Sequence, residues 1–414
     1  MPAAPGRRLL EPEMTPGRAP DEHIRKARTY FDASRRALAR AYRPHRYLSL
    51  ITSLLFDFTF LWLLVFSRAG RVLEGIPLSY LLPIPCAAAW AALALILRSV
   101  LAAPLSYVTG YLWPKKFGLV VHSPARHFKD HLLSLATALP VVAGGAAVLE
   151  WLIVASLDLW WLYASLLAAA ATVLITMLLP VLLMPLFNKF VPMQDGSLKR
   201  ALLDMARRTG VTVTGVYVMD MSRRTTTANA MLTGLGPTRR MIVGDTLLTG
   251  FPEDEVQVVM AHELAHHYYR HITKGLALSA LVLPPIFFLA FQLVPSAWAA
   301  AAPGSMRYLG AFVAVLYLIN LLSSPVSNRL SRFFEWQSDE FALRITGLAD
   351  AAAKMFARLA DGALSDIDPP AIVQFFFYTH PPALERVAHA LRFKVTGGAC
   401  AGPTRKSARP QETC

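Results

Sequence analysis

Long apolar runs separated by short polar connections account for most of the chain. Each run is at or near the length of about 20 apolar residues that a helix needs to cross a bilayer. The runs lie near residues 47–67, 78–112, 132–154, 155–187, 275–298 and 308–326. This pattern predicts a mainly α-helical, polytopic membrane protein with about six to seven membrane helices.

The polar stretch at residues 189–250, between the fourth and fifth runs, follows other periodicities. Apolar residues at helical spacing predict a helix that Asp195 or Ser197 caps and that Gly210 ends. Strands of a small sheet are predicted at residues 211–219, 229–232 and 240–243, with a turn at 234–237. The exposed edge of such a sheet could bind an extended peptide by strand addition.

Both ends of the chain are polar. Residues 1–20 are rich in proline and arginine, and residues 396–414 in glycine, proline and basic side chains, so both are predicted to be disordered. Residues 21–46 are basic with apolar positions at helical spacing. They predict an amphipathic helix that lies on the membrane surface before the first apolar run.

Composition agrees with a membrane location. Of the 414 residues, 55% are hydrophobic and 16% are charged, and the mean hydropathy is +0.41. Ordinary globular domains have about 25% charged residues, so the composition excludes an ordinary soluble protein. The three cysteines Cys86, Cys400 and Cys414 are too scattered for a disulfide framework or a cysteine metal site.

The net charge of +14 has a membrane explanation. The basic residues cluster at the ends of the apolar runs and are not interleaved with aromatic residues, which argues against a nucleic-acid partner. Positive charge concentrates on the cytoplasmic side of membrane proteins. The distribution therefore predicts a cytoplasmic N-terminus and a cytoplasmic location for the segment around residues 261–267. No feature of the sequence requires an obligate protein partner.

The strongest chemical motif is His262-Glu-Leu-Ala-His-His267. In a helix, His262 and His266 share one face and can bind one metal ion, while Glu263 lies beside it as a base for water. Pro252 and the acidic residues 253–255 predict where this helix begins. His267 points off the shared face and is interpreted as a bystander. The alternative interpretation is a surface helix that happens to carry two histidines.

A second pair, His127 and His131, has the same spacing. No glutamate lies at the base position between them, and no acidic helix is directed towards them, so they are the weaker candidates for metal ligands. Asp57 and Glu150 fall inside predicted membrane helices. An acid in a membrane is costly, so each is predicted to be functional or to line a wet cavity.

A catalytic metal usually takes three protein ligands, so a third is required. Residues 332–345 predict a helix with Glu335 and Asp339 on one face. Glu335 can complete the ligand set, and Asp339 can accept a hydrogen bond from a ligand histidine and fix its tautomer.

Several motifs occur together and in order. They are Pro185-Leu-Phe-Asn-Lys-Phe190, Asn229-Ala230, Asp245-Thr-Leu-Leu248, the motif at 262–267, Arg332 through Ala342 and His380-Pro-Pro382. With these motifs the sequence resembles the CAAX prenyl endopeptidases over about residues 20–393. These are integral-membrane zinc metalloproteases, related more distantly to the HtpX-like stress proteases.

The resemblance implies a role for each motif residue. It implies one zinc ion per chain, held by His262, His266 and Glu335, with Glu263 as general base. It implies that Asp339 is an acid beside the zinc that acts as a proton donor, that His380 lies near the substrate carbonyl, and that Asn229, Ala230 and Arg386 contact substrate. It also implies a helical membrane barrel around a water-filled chamber, with a small α+β zincin-like insertion.

Two positions depart from the family pattern. Ala265 stands where glycine is common, and Ser338 stands where alanine is usual. Both exchanges are between small residues and leave the expected ligands intact.

Four regions are predicted on this basis. They are a disordered N-terminus at 1–20, an N-terminal membrane region with about four spans at 21–188, a zinc peptidase domain including two spans at 189–395, and a disordered tail at 396–414.

The predicted function is zinc-dependent endopeptidase activity, in which metal-activated water hydrolyses a peptide bond of a peptide or protein substrate. The resemblance implies cleavage near the C-terminus of prenylated proteins, in contact with membrane lipid. The alternatives are HtpX-like quality control of misfolded membrane proteins and a non-catalytic membrane scaffold, against which the intact set of four site residues argues. The Ala, Arg and Leu content is typical of a high-GC bacterium, which predicts a bacterial inner membrane.

Overall fold

A computed structural model describes residues 21–78, 82–178, 182–234, 239–297 and 305–395. The segments predicted to be disordered, 1–20 and 396–414, lie outside these described residues, and so does most of the turn predicted at 234–237.

The described chain is mainly helical. The helices are α1 Asp21–Arg28, α2 Ala33–Phe66, α3 Arg68–Leu78, α4 Pro83–Tyr107, α5 Trp113–Lys116, α6 Pro124–Ala155, α7 Trp160–Leu178, α8 Met184–Phe187, α9 Ser197–Thr209, α10 Asp245–Gly250, α11 Glu253–Tyr268, α12 His271–Ala297, α13 Met306–Thr346, α14 Ala349–Gly362, α15 Ala371–Phe377 and α16 Ala383–Val395. The strands are β1 Phe190–Pro192, β2 Val216–Met219, β3 Ala230–Thr233 and β4 Arg240–Gly244.

Six helical segments have the length and composition of membrane spans. They are Ala33–Phe66, Pro83–Lys116, Pro124–Ala155, Trp160–Leu178, His271–Val294 and Met306–Thr346. The second consists of α4 and α5 joined by a π-helical turn at Val108–Leu112. Each overlaps one of the six apolar runs, so the predicted polytopic helical membrane fold is confirmed.

Chain connectivity places the polar segments on one side. If each of the six helices crosses once, one side holds the start of α2, the 117–123 connection and the described residues 182–234, 239–270 and 347–395. Contacts between these segments agree. Val120 bridges to Thr225 in a short antiparallel pairing, and Arg36 pairs with Asp361 at 2.6 Å.

The prediction of one amphipathic surface helix at 21–46 is wrong in two respects. The segment is divided, because Asp32 caps the N-terminus of α2 by accepting a hydrogen bond from the Arg35 backbone N–H, and α2 then continues into the first span. In addition, α1 packs on α16, where Ala27 and Phe31 are buried in the core of the soluble unit. Protein contacts therefore cover this segment where a membrane surface was expected.

The helix α13 is longer than a span requires. Its 41 residues extend about 60 Å, twice the thickness of the bilayer core. The second half therefore reaches out of the membrane region and packs against α11. It ends at Gly347, whose φ of 69° is the left-handed conformation that glycine adopts most readily at a helix end.

The small sheet has the strand order β1-β2-β4-β3. The strands β2 and β4 are parallel, and the other two pairs are antiparallel. The strand predicted at 211–219 is shorter than expected and begins only at Val216, and β1 was not predicted. At α9 the predicted side-chain cap is absent, because Gly196 occupies the N-cap position and Ser197 donates its hydroxyl to Glu253.

Two large cores and one small cluster stabilise the described chain. One core joins the membrane helices through residues such as Trp90, Ile153, Trp160 and Phe312. The other core joins the sheet to α1, α9, α11, α14 and α16. Large apolar side chains on the outer faces of the span helices are exposed in the isolated chain, as expected for surfaces that contact lipid.

Candidate metal and catalytic centre

The helix α11 carries the histidine motif. It begins after Pro252 with three acidic residues in its first turn, as predicted, and these favour the positive end of the helix dipole. Ala261, Leu264 and Ala265 are fully buried and anchor the helix in the soluble core. The opposite positions are thereby held towards α13, where His262 and His266 meet the second half of that helix.

Three side chains converge between these two helices. The Nε2 atoms of His262 and His266 are 3.3 Å apart. Glu335 Oε2 lies 3.2 Å from His262 Nε2, and Glu335 Oε1 lies 3.5 Å from His266 Nε2. Ligand atoms at the corners of a tetrahedron with zinc bonds of about 2.0–2.1 Å are about 3.3 Å apart. The arrangement therefore has the dimensions of a metal site.

Hydrogen bonding independently indicates a cation at this position. His262 Nδ1 lies 2.8 Å from Asp339 Oδ1 and donates its proton there, so in the neutral ring Nε2 carries only a lone pair. Glu335 Oε2 is buried and has no hydrogen-bond partner in the described part of the chain. With both rings neutral, lone pairs of His262, His266 and Glu335 therefore face one another. A metal ion would remove this repulsion, so these three side chains fit a metal ion.

Asp339 is fully engaged by two partners. Its Oδ1 accepts from His262 and from the Arg386 Nη2 group, and its Oδ2 accepts from Arg386 Nε at 2.7 Å. The guanidinium of Arg386 also stacks on Phe356, with its carbon 4.1 Å from the ring centroid. Asp339 is fully buried, and these contacts fix the orientation of the His262 ring.

Glu263 is held by the edge strand of the sheet. The backbone N–H of Leu232 in β3 donates to its carboxylate, which connects the motif to the sheet. Burial raises the pKa of Glu263 to about 7. A carboxylate with a pKa near neutrality is suited to accept and return a proton at physiological pH.

The two ligand histidines differ in electrostatic surroundings. Burial lowers the pKa of His266 to about 3, so its ring is neutral, as a metal ligand must be. At His262 the effect of burial is outweighed by the carboxylates of Asp339 and Glu335, which raise its pKa to about 10. The two carboxylates thus favour positive charge at His262, where a proton and a metal ion compete for Nε2.

His380 lies at the rim of the cluster. Its Nε2 is 3.4 Å from Glu335 Oε1, and its side chain is 59% exposed. The Thr379 hydroxyl is 2.8 Å from Nδ1 and can donate to it, which leaves the proton on Nε2. In this tautomer His380 presents an N–H group at the open side of the centre.

The predicted substrate-binding residues lie at three different places. Asn229 is exposed just before β3, and its carbonyl accepts from the Gly244 N–H at 2.9 Å. This bond makes Ala230 a non-hydrogen-bonded partner of Val243, so the peptide groups of Ala230 face the outer edge of the sheet. The Ala230 side chain itself is buried in the core. Arg386 contacts Asp339 as described above.

Only one candidate metal group forms. Among the described residues, His262, His266 and Glu335 are the only three potential ligands that come within 4.8 Å of one another. His127 is packed among the aromatic rings of Tyr107, Tyr111 and His122, and His131 hydrogen-bonds to Ser99 at 2.9 Å.

The two intramembrane acids have different surroundings. Asp57 accepts a hydrogen bond from Arg98 at 3.0 Å, and both side chains are partly exposed. Glu150 is fully buried, and neither of its oxygens has a hydrogen-bond partner in the described residues.

Two histidines near the centre have contacts that the sequence analysis did not identify. His267, interpreted as a bystander, is buried, and its Nε2 donates to the Leu232 carbonyl at 2.9 Å. It therefore helps to fix β3 against α11. His271 contacts His266 and was not predicted as a site residue. Its position nine residues after His262 is the only sequence feature that could have indicated a place near the metal centre.

The membrane helices and the His-His-Glu cluster beside a glutamate define the class of multi-pass membrane metalloproteases. Comparisons with known proteins agree. The model of peptidase family M48 matches residues 192–394, and that of the CAAX prenyl protease N-terminal domain, described as five membrane helices, matches residues 16–189. In this range, four described helices qualify as spans.

Relatives occur in bacteria and eukaryotes. The chain is 28% identical over 304 residues to an uncharacterized metalloprotease, YhfN, of Bacillus subtilis, which covers 71% of each chain. It is 26% identical over 316 residues to CAAX prenyl protease 1 of Saccharomyces cerevisiae, which covers 70% of this chain and 69% of the yeast protein. The crystal structure of S. mikatae Ste24p has the same fold, with a TM-score of 0.75 over 93% of both chains at 23% identity.

The chain therefore belongs to peptidase family M48 and is a membrane metalloendopeptidase of the CAAX prenyl protease type. Membership implies a metal cofactor and a peptide or protein substrate. It also argues against the alternative of a non-catalytic scaffold.

Proposed function

We propose that this metalloendopeptidase uses one zinc ion, bound by His262, His266 and Glu335. The convergence of three potential ligand atoms at zinc-like spacing carries the proposal. Two imidazole nitrogens and one carboxylate oxygen are a common catalytic zinc set, with the fourth position left for water. When bound, zinc supplies a Lewis acid that acidifies this water and polarises the substrate carbonyl.

Glu263 is the proposed general base. Its carboxylate takes a proton from the attacking water and returns it to the leaving amine of the cleaved bond. The Leu232 N–H holds the carboxylate in place, and the raised pKa of Glu263 suits both transfers. His380 is proposed to donate its Nε2 proton to the negative charge that develops on the substrate carbonyl oxygen.

Asp339 is proposed to orient His262. The family pattern implied a proton donor, but both oxygens of Asp339 accept hydrogen bonds, from His262 and Arg386, and the side chain is buried. These contacts favour a structural role for the Asp339 carboxylate and support Glu263 as the group that transfers the proton. Arg386 then stabilises the Asp339 charge, and its predicted contact with substrate would be secondary.

The substrate is proposed to bind as an extended strand along the outer edge of β3. The outward peptide groups of Ala230 supply one donor and one acceptor. Asn229, at the start of this edge, is exposed and can contact the adjoining residue of the substrate. The edge ends at Leu232, whose outward N–H and carbonyl are bonded to Glu263 and His267. A peptide on this edge would therefore approach the metal next to the proposed base.

The proposed substrates are proteins that are cleaved near a prenylated C-terminus, as the names of the eukaryotic relatives suggest. Quality control of membrane proteins is the second candidate, because the name of the bacterial relative states a metalloprotease without a prenylated substrate. The proposed location is a bacterial inner membrane with the active site in the cytoplasm. Basic clusters at 25–46, 115–116 and 223–224 support this orientation, because all lie on the side that carries the peptidase residues.

The proposed domain organisation follows the motifs. A membrane region at 21–188 is followed by a peptidase domain at 189–395 that includes two spans.

Fluorescent-protein and alkaline-phosphatase fusions after residue 395 test the orientation in bacterial cells. We expect the fluorescent-protein fusion to fluoresce and the alkaline-phosphatase fusion to be inactive. A dark fluorescent-protein fusion with an active phosphatase fusion would indicate an active site outside the cytoplasm.

The test of function compares detergent-purified wild type with Glu263→Gln. Both proteins are analysed for zinc and offered a farnesylated CAAX peptide and an unprenylated, unfolded membrane-protein fragment. Chelator-sensitive cleavage of the peptide by wild type alone, with zinc retained in Glu263→Gln, is expected.

Other results would change the proposal. Cleavage of the fragment alone would move the enzyme to quality control. Undiminished turnover by Glu263→Gln would contradict the role of Glu263 as general base. Absence of bound metal from the wild-type protein would contradict the proposed zinc site.

A further inference from the structure

His271 lies directly behind one of the proposed zinc ligands. Its Nδ1 is 3.1 Å from His266 Nδ1, and its Nε2 is 3.0 Å from Gln337 Oε1. The side chain is 4% exposed, and its ring stacks on Phe334 with a centroid distance of 4.3 Å and an interplanar angle of 10°. The ring is therefore fixed on both edges and on one face.

We propose that His271 is a positioning residue that selects the metal-binding tautomer of His266. The inference rests on the proposed function, since it requires His266 Nε2 to be a ligand. Nothing in the zinc ligand set or in the proton transfers assigned above involves His271.

The hydrogen bonds define one consistent arrangement of protons. A ligand Nε2 carries no proton, so the proton of the neutral His266 ring is on Nδ1. His266 Nδ1 then donates to His271 Nδ1, which must accept. The remaining proton of His271 is on Nε2, which donates to the Gln337 Oε1 acceptor. Each ring nitrogen in this series of hydrogen bonds is thus either a donor or an acceptor.

The local backbone explains how His271 reaches this position. The helix α11 ends at Tyr268, and Arg270 adopts a φ of 56°, in the left-handed region that non-glycine residues rarely occupy. The chain turns there, and α12 starts at His271. This turn directs the His271 ring back towards His266, whereas a continuous helix would separate positions 266 and 271 around its circumference.

The two ligand histidines are thus supported by different chemistry. His262 donates to a carboxylate, Asp339, whose charge Arg386 balances. His266 donates to a neutral imidazole. Without His271, the His266 ring could rotate or place its proton on Nε2, and either change would remove a lone pair from the metal. The expected consequence is faster loss of metal, before any effect on proton transfer.

The test measures zinc release from the purified, zinc-loaded protein to a colorimetric chelator. His271→Leu removes the acceptor, whereas His271→Asn places an amide oxygen near the position of Nδ1. His389→Leu is the matched control, because His389 is a partly buried histidine that hydrogen-bonds Glu340 of α13 without contacting a ligand. Release is expected to be about 10–100-fold faster in His271→Leu than in wild type.

Conservative rescue distinguishes positioning from packing. His271→Asn should release zinc more slowly than His271→Leu, and His389→Leu should match wild type. Gln337→Leu, which leaves the acceptor nitrogen in place, should have a smaller effect than His271→Leu. The visible spectrum of the cobalt-substituted protein should change in His271→Leu and not in the control.

The inference fails if folded His271→Leu retains zinc as wild type does, or if His271→Asn is no better than His271→Leu. Should His271→Leu not fold, the order of wild type, His271→Asn and Gln337→Leu decides the question. Release at the wild-type rate in both would contradict the inference. Wild type that binds no zinc contradicts the proposed function itself, which separates the two failures.

Discussion

His127 and His131 on α6 repeat the four-residue spacing of His262 and His266 on α11, but their surroundings differ. At α11, a second helix supplies Glu335 within 3.5 Å of both rings. At α6, the nearby carboxylate, Asp130, is paired with Arg224 at 2.8 Å. The spacing on one helix supplies two donor atoms, and a metal site requires a free carboxylate from elsewhere.

The second ring nitrogens also differ between the two pairs. His262 and His266 each donate from Nδ1 to a buried partner, which leaves both Nε2 atoms unprotonated and convergent. His131 uses Nε2 for Ser99, and His127 is enclosed by aromatic rings. At α11 the two Nε2 atoms converge with a carboxylate, whereas the described residues around the α6 pair form no such cluster.

Removal of the third ligand should have the largest effect. In Glu335→Gln, an amide replaces the carboxylate and places N–H donors against the histidine lone pairs. Bound metal should be lost and peptide cleavage should fall by more than about 10³-fold. Metal analysis and a cleavage assay check this. Glu340→Gln on the same helix is the control, and equal metal content in the two variants would contradict the assignment.

Loosening the support of His262 should have an intermediate effect. Arg386→Lys replaces the two-pronged contact on Asp339 with a single ammonium and removes the stacking on Phe356. Activity and metal affinity should each fall by about 10–100-fold. If only the KM for peptide rises while metal affinity is unchanged, Arg386 contacts substrate, as the family resemblance first implied.

Disruption of the α6 pair should leave the metal in place. His131→Ala removes the partner of Ser99, so a cost in stability of about 1 kcal/mol is expected. Metal content and cleavage by the folded protein should stay within about two-fold of wild type, a residual change that reflects surface repacking only. Loss of metal in this variant would remove the distinction between the two pairs.

The smallest effect is expected at the position that departs from the family pattern. Ala265→Gly lies in the interior of α11 and should lower stability by about 1 kcal/mol through backbone entropy. The thermal midpoint in detergent should fall while metal content is unchanged. An increase in stability would show that the family glycine serves close packing that alanine prevents.

Much of the membrane fold could be predicted from the sequence. Apolar runs of sufficient length identify spans without knowledge of tertiary structure, and each predicted run overlaps one of the six helices. The division at Asp32 was missed, because a capping bond to Arg35 interrupts a segment whose periodicity looks continuous. Likewise, β1 is three residues long, and its pairing with β2 depends on contacts that no local pattern reports.

The residues of the site could be predicted from the sequence, but most of the contacts that support them could not. The motif at 262–266 and the acids Glu335 and Asp339 could be chosen because their spacing and chemistry are specific. The partner of His266 could not, since His271 reaches it only through the left-handed turn at Arg270. The contact between Leu232 and Glu263 likewise depends on the packing of α11 against the edge of the sheet.

The most direct test is the metal content of three purified proteins: wild type, His266→Ala and His131→Ala. The account predicts one zinc per chain in wild type and in His131→Ala, and none in His266→Ala. Zinc that persists in His266→Ala, or that is lost from His131→Ala, would contradict the assignment of the site to α11 and α13.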